Sequence, residues 1–351
     1  MALTPRGKGL IAGVAALAVI GGGALVYTGN AGPVNEITDK VGITHTEPDP
    51  CPLTGVAPEG GKPVPTHPVL AVKVENTVDA YPLSGLDKAD IVYEEVVEGG
   101  ITRFISVFDC QGAPRVGPVR SVRTTDPKIL LQYGAHPLLA FSGGAPKVVN
   151  IVRKAGVIEL TEDDPASAFE RDDSRVIPHN LFTNTQKLWA AAAKSHKDAT
   201  APQPVFTYDE TVPKPSKKAS SATVVFSSLA TAEWRWEGGR WVRYLDGAPM
   251  NLESGAPIAT DNVVIQQVDV TESSFTDVAG YPSPEVTVTG SGKAWVLRNG
   301  KVIAGTWERA SEGDLTVFRT KKGDEIALKP GTTFVELAPT GMFDATISFG
   351  K

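Results

Sequence analysis

Residues 94–123 gather most of the side chains that could do chemistry. Glu94, Glu95 and Glu98 are followed by Arg103, Arg115, Arg120 and Arg123, with glycine turns between them and Cys110 inside the run. Two carboxylates can divide acid and base roles when their surroundings separate their pKa values. Arginines offer forked donors to phosphate or carboxylate. The same stretch carries Val92, Val96, Ile101, Phe104, Val107 and Phe108, enough apolar side chains to bury it as strands. Buried strands hold so many charges only when the charges pair or bind something. Two readings follow: an internal ion-pair network that sets strand register, or a pocket for an anionic or sugar-like ligand.

Further along, Ser142, Gly143 and Gly144 lie between a short apolar run at 137–141 and a helix opening at Ala145-Pro146. A strand, a glycine turn and a helix start leave free backbone N–H groups and a dipole that favour an anion, although glycines also serve simply to permit a sharp turn. The triplet is neither a phosphate-loop nor a dinucleotide motif, and Ser142 lacks the G-x-S-x-G elbow of a nucleophile. His179 and Asn180, flanked by Ile177, Pro178 and Leu181, belong at the edge of a core. There they are structural, or they contact a polar ligand if they face the arginines. The candidate ligand site is therefore Glu94, Glu98, Arg103, Arg120, Arg123, Ser142, Gly143, Gly144, His179 and Asn180.

A wall-glycan hydrolase or transferase using Glu94 and Glu98 is the catalytic alternative. Residues four apart on one strand face the same side roughly 13 Å apart, a long separation for a glycosidase pair. The five histidines, His45, His67, His136, His179 and His196, show no ligand spacing, so neither a metal nor another cofactor is expected.

The elements that must position these residues can be read in outline. Strands are expected at 70–75 and 89–93, with a hairpin turn at Gly99-Gly100 and a return over 101–108. Asp126-Pro127 reads as a helix cap and first turn before 128–133. A second helix ends near Gly156, the acid-rich run 159–175 reads as a surface loop, and 185–194 as a third helix. After a proline- and lysine-rich linker at 197–221 the text becomes strands and turns. Gly238-Gly239 should pair Glu237 with Arg240 and Trp236 with Trp241, and Asn299-Gly300 is the preferred type I′ dipeptide. Further strands are expected at 262–270, 285–289, 315–319, 325–328 and 333–337. The fold class is α+β: a mixed α/β domain over 51–196, then a mainly β domain, closed or sandwiched, over 222–351.

At 351 residues two domains are the default. A formal charge of −6 and a pI near 5.5 argue against nucleic acid as the main partner. Arg6 and Lys8 precede an uncharged run over 9–27, about the length of a membrane-crossing helix. Residues 1–30 therefore read as a retained membrane anchor, with cleavage near Gly29-Asn30-Ala31 as the secreted alternative. The charge order places the body outside the cell, on a tether over 31–50. In that oxidising compartment Cys51 and Cys110 should form a disulfide.

The order of several segments resembles the YerB-like family of bacterial cell-envelope lipoproteins. The segments are Pro52-Leu-Thr-Gly55, residues 83–94 and 97–104, Gly117-Pro-Val-Arg-Ser-Val-Arg123, Ser142-Gly-Gly144 and Pro178-His-Asn-Leu181, then Asp261-Asn-Val-Val264, Gly290-Ser-Gly-Lys-Ala294, Thr306-Trp307 and Leu328-Lys-Pro-Gly331. The resemblance implies two adjoining domains, exported and held at the membrane, and supplies no reaction. Two departures stand out. The lipid-bearing cysteine after the apolar segment is missing, so the helix itself must anchor. Met250 follows Gly247-Ala-Pro249 where relatives often have histidine. The expected function is noncatalytic binding of an anionic or carbohydrate wall component or of a partner; a scaffold for wall-synthesis enzymes is a further alternative.

Overall fold

A computed structural model describes residues 36–38, 44–46, 49–164, 168–195, 198–276 and 280–351. The chain divides into two compact units, residues 1–47 and 48–351. In the first, Glu36–Thr38 and Thr44–Thr46 pair as antiparallel strands. The apolar run read as an anchor or signal segment lies outside the described residues, as does His196. No helix among the described residues is long and apolar enough to cross a membrane.

In the larger unit the first strands are β1 (Leu70–Asn76), β2 (Ile91–Val96) and β3 (Thr102–Phe108). Helix α1 (Thr125–Leu130), β4 (Leu138–Ala140), α2 (Pro146–Lys154) and β5 (Ile158–Leu160) follow. A small hairpin of β6 (Phe169–Arg171) and β7 (Leu181–Thr183) precedes α3 (Thr185–Ser195). The second half supplies β8 (Lys217–Lys218), β9 (Ser221–Val225), β10 (Thr231–Glu237) and β11 (Arg240–Leu245). It continues with β12 (Asn262–Thr276), β13 (Pro282–Val286), β14 (Gly290–Arg298) and β15 (Lys301–Arg309). Last come β16 (Val317–Thr320), β17 (Thr333–Gly341) and β18 (Thr346–Gly350).

One large sheet runs through both halves in the order β8-β15-β14-β12-β17-β2-β3-β1-β4-β5, with β13 added to β12 and β16 to β15. The junction is β17, which lies parallel to β12 on one side and to β2 on the other. Parallel strands covered on both faces need nearly continuous apolar sequence, and Phe334, Val335, Leu337 and Ala338 supply it. A second sheet, β11-β10-β9-β18 with two short edge segments, packs across this junction. Trp234 of β10 meets Phe334 of β17 at 4.8 Å between ring centroids.

The chain is mainly β. Helices in the first half are few and short, so the expected α/β character there is present only in part. Both hairpins have the expected pairing: Glu237 opposite Arg240, Trp236 opposite Trp241, and Arg298 opposite Lys301 around Asn299-Gly300. The acid-rich run read as a loop carries β5 and β6, because backbone groups that pack against the body must find ladder partners. Asp126 does not cap its helix but sits inside it, turned inward toward Lys73. The stretch read as a linker lies along the body, with Val205 buried and Tyr208 Oη donating to Leu53 O at 2.5 Å. Cys51 and Cys110 form the disulfide, 6.0 Å apart at Cα.

Candidate functional site

Side chains on a strand alternate faces, and register decides which charges meet. Arg103 of β3 lies opposite Glu75 of β1 and Glu95 of β2, so all three project to one face. Glu94 points to the other face, where it stands beside Glu336 of β17. One step along the chain thus sends two adjacent glutamates into separate chemistry.

On the first face a cleft of about 570 Å³ opens between the two halves of the unit. Arg103 from β3, Ile101 and Glu98 from the turn before it, Arg120 and Arg123 from the following segment, and Gly144 with the start of α2 form one side. Thr276 of β12 and Ser283 of β13 face them. Helix α2 opens without a side-chain cap.

The three arginines are not equally occupied. Arg123 is bound through Nε at 2.9 Å and through Nη2 to Glu98, and its Nη1 donates to Val122 O at 2.8 Å. Glu98 also accepts from Ser283 Oγ at 2.5 Å. Burial alone would raise the Glu98 carboxyl, but the Arg123 charge with the hydrogen bonds of Arg123 and Ser283 holds it below its ordinary value. Arg120 Nε lies 3.4 Å from Glu75, without hydrogen-bond geometry. Arg103 is 8% exposed and forms no ion pair among the described residues; its Nη1 donates only a long bond, 3.3 Å, to Ser121 O. Burial, then the charges of Arg123 and Arg120, pull its pKa down to about 10. At neutral pH this guanidinium is still charged, and it lines an open cavity with Glu98 and Glu75 acting on it only from beyond ion-pair distance.

The sequence candidates divide accordingly. Glu98, Arg103, Arg120, Arg123 and Gly144 share the cleft. Ser142 and Gly143 support it from outside: Ser142 Oγ donates to Glu162 at 2.9 Å, and Gly143 O accepts from Val122 N–H at 3.1 Å. His179 stands behind Arg120, its Nδ1 2.9 Å from the same Glu75. Asn180 is buried and accepts from Arg171 at 2.9 Å. Glu94 is sealed on the far face, paired with Arg243 at 2.8 Å. Glu94 and Glu98 therefore do not face a common space, because the chain leaves the strand at Val97 and Glu98 begins a turn.

Several residues had no sequence signal that gave them their role. Beneath the cleft, Lys73 pairs with Glu95 and, at 2.7 Å, with Asp126, whose other oxygen accepts Arg123 N–H at 2.8 Å. Burial, outweighing the pull of Lys73, raises the Glu95 carboxyl. Lys73 and Glu75 alternate with valines in β1, a pattern that reads as a solvent face until a covering layer is known. On the opposite face Arg243 joins Glu94 to Glu336 at 2.9 Å, and Trp234 Nε1 donates to Glu336 at 2.6 Å. Burial and the adjacent Glu94 push Glu336 well above its ordinary value.

Comparison with known proteins adds a lineage to this geometry. The family model for the N-terminal domain of DUF3048, described as a protein of unknown function, matches residues 53–198, and that for its C-terminal domain matches 222–335. The chain is 29% identical over 308 residues to "Putative lipoprotein YerB" of Bacillus subtilis (strain 168), covering 86% of this chain and 89% of that protein. It is similar to the crystal structure of the YerB protein from Bacillus subtilis with a TM-score of 0.70 at 28% identity, over 85% of this chain and 99% of the solved one.

Proposed function

This chain belongs to the YerB-like family of two adjoining domains, and from that premise we propose that it is a noncatalytic protein of the cell envelope whose cleft binds an anionic group of an envelope component. The lipoprotein name of its Bacillus relative supports the address. The observation that carries the binding role is Arg103, a buried guanidinium without an ion pair that lines a cavity of about 570 Å³. A buried cation without an ion-pair partner is costly, and a phosphate or carboxylate entering the cleft offsets that cost with charge-assisted hydrogen bonds. Arg120 and the uncapped start of α2 add donors to the same space. Hydroxyls of Thr276 and Ser283 and the apolar Ile101 and Val148 suit the polyol or sugar that would carry the anion.

Calorimetric titration with phosphate-bearing wall fragments tests this reading. Arg103→Gln should weaken binding at least tenfold and leave the melting temperature unchanged or raised. Absence of any binding by the native chain would overturn it. The separation of Glu94 from Glu98 speaks against a glycan hydrolase built on that pair.

A further inference from the structure

We propose that the cleft is one end of a longer groove, and that its ligand is a linear polyanion whose charged groups recur along one chain and are joined by carbon units. This rests on the anion-binding reading above and adds length and repeat to it.

Beside the cleft lies a second hollow of about 530 Å³, lined by Asp79, Tyr81, Pro82, Arg175, Val176 and His179. Glu75 stands between the two spaces. Glu75 faces Arg120, which lines the cleft, and His179, which lines the hollow, through its two oxygens at 3.4 and 2.9 Å. Arg120 Nη1 also reaches toward Pro178 O at 3.5 Å, so the cleft's own arginine leans over the partition.

The hollow repeats the electrostatic feature of the cleft. Arg175 forms no ion pair among the described residues; Nη1 donates to Ala80 O at 3.0 Å and Nη2 to Pro82 O at 2.6 Å. Neutral carbonyls orient a guanidinium without cancelling its charge. Glu75 is already committed to Arg120 and His179, and exposed Asp79 is the one carboxylate lining the hollow, outside ion-pair reach of Arg175. Each space thus presents one guanidinium without an ion pair among the described residues, Arg103 in the first and Arg175 in the second, with Arg120 between them; Glu98 and Glu75 act on Arg103, and Glu253 on Arg175, only from a distance. A ligand with a single anionic group can satisfy only one. Val176, which lines the second hollow, is 77% exposed, and its chain neighbour Ile177 is 70% exposed; an apolar edge of this kind matches carbon units between successive anions better than a bare inorganic chain.

The test is a length series on the purified full chain: glycerol phosphate, its phosphodiester-linked dimer and hexamer, and linear polyphosphate of matched length. Affinity should rise at least tenfold from monomer to hexamer, with polyphosphate weaker than the glycerol series. Arg175→Gln should abolish the gain from length, whereas Arg103→Gln should weaken every length. Val176→Asp, on an exposed side chain that the fold does not need, should repel the hexamer and spare the monomer. Arg103-dependent monomer binding with no gain from length, or a hexamer indifferent to both Arg175→Gln and Val176→Asp, overturns the groove and leaves the anion cleft standing. No binding at any length overturns both.

Discussion

The carboxylate of Glu98 already occupies Arg123, so at the residue scale the cleft contains a built-in competitor for any incoming anion. Removing its charge should free Arg123 while keeping the hydrogen bond from Ser283. Glu98→Gln is expected to tighten phosphate binding about tenfold, about 1.4 kcal/mol, while lowering the melting temperature by a few degrees; calorimetry and thermal melts check both. A different pair, Asp90 and Asp109, sets a pH response. Burial, partly offset by the Asp109 N–H at 2.6 Å, holds Asp90 up at about 8, and burial holds Asp109 at about 7. A carboxyl with a raised folded pKa binds its proton more tightly in the folded state. Its contribution is therefore present at low pH and is lost as pH rises from about 4 to about 8. Asp90→Asn should flatten the decline in stability between pH 5 and pH 8, measured as the urea midpoint at each pH.

Among the elements, the hairpins depend on contacts too close for a side chain. Gly305 of β15 pairs with Thr320 of β16, and a Cβ added there would lie 2.0 Å from Arg319 O. Backbone cannot yield as a flexible side chain can, so Gly305→Ala should destabilise the chain by about 2–3 kcal/mol, read as a lower urea midpoint with unchanged slope. A glycine inside a strand pattern signals such an approach, but which backbone approaches depends on β16, whose place in the sheet is a long-range fact. The turns at Gly238-Gly239 and Asn299-Gly300 were legible because their chemistry is local: positive φ at both central positions selects these residues. Asp126 was misread as a cap for the converse reason. Its partner, Lys73, lies 53 positions away.

Across the whole molecule, the large sheet passes from one family domain to the other through β17 and β2, and the buried Arg243 trio ties the second sheet to that seam. Arg243 is 3% exposed. Arg243→Ala would leave two buried carboxyls without their cation, and should cost about 3–5 kcal/mol. Because the seam is shared, tryptophan fluorescence and far-ultraviolet dichroism should lose signal together in one transition, in the native chain and in the variant alike; two separated transitions would show that the halves unfold independently. The cleft sits on the same seam, with Thr276 and Ser283 from one family domain facing arginines from the other.

By itself the sequence determined several local features of this protein: the strands around the charged stretch, where two hairpins turn, that Cys51 and Cys110 pair, and that Glu98, Arg103, Arg120 and Arg123 belong to one charged neighbourhood. These follow from side-chain type, period and turn chemistry, which act over a few residues, and from the resemblance carried by short motifs. Only the tertiary structure decided that Glu94 and Glu95 serve opposite faces, that His179 and Asn180 stand outside the cleft, and that Arg103 forms no ion pair among the described residues. Those outcomes depend on the register of β1, β2, β3 and β17 and on which layer covers each face, and pairing between strands distant in the chain leaves no mark in any one of them.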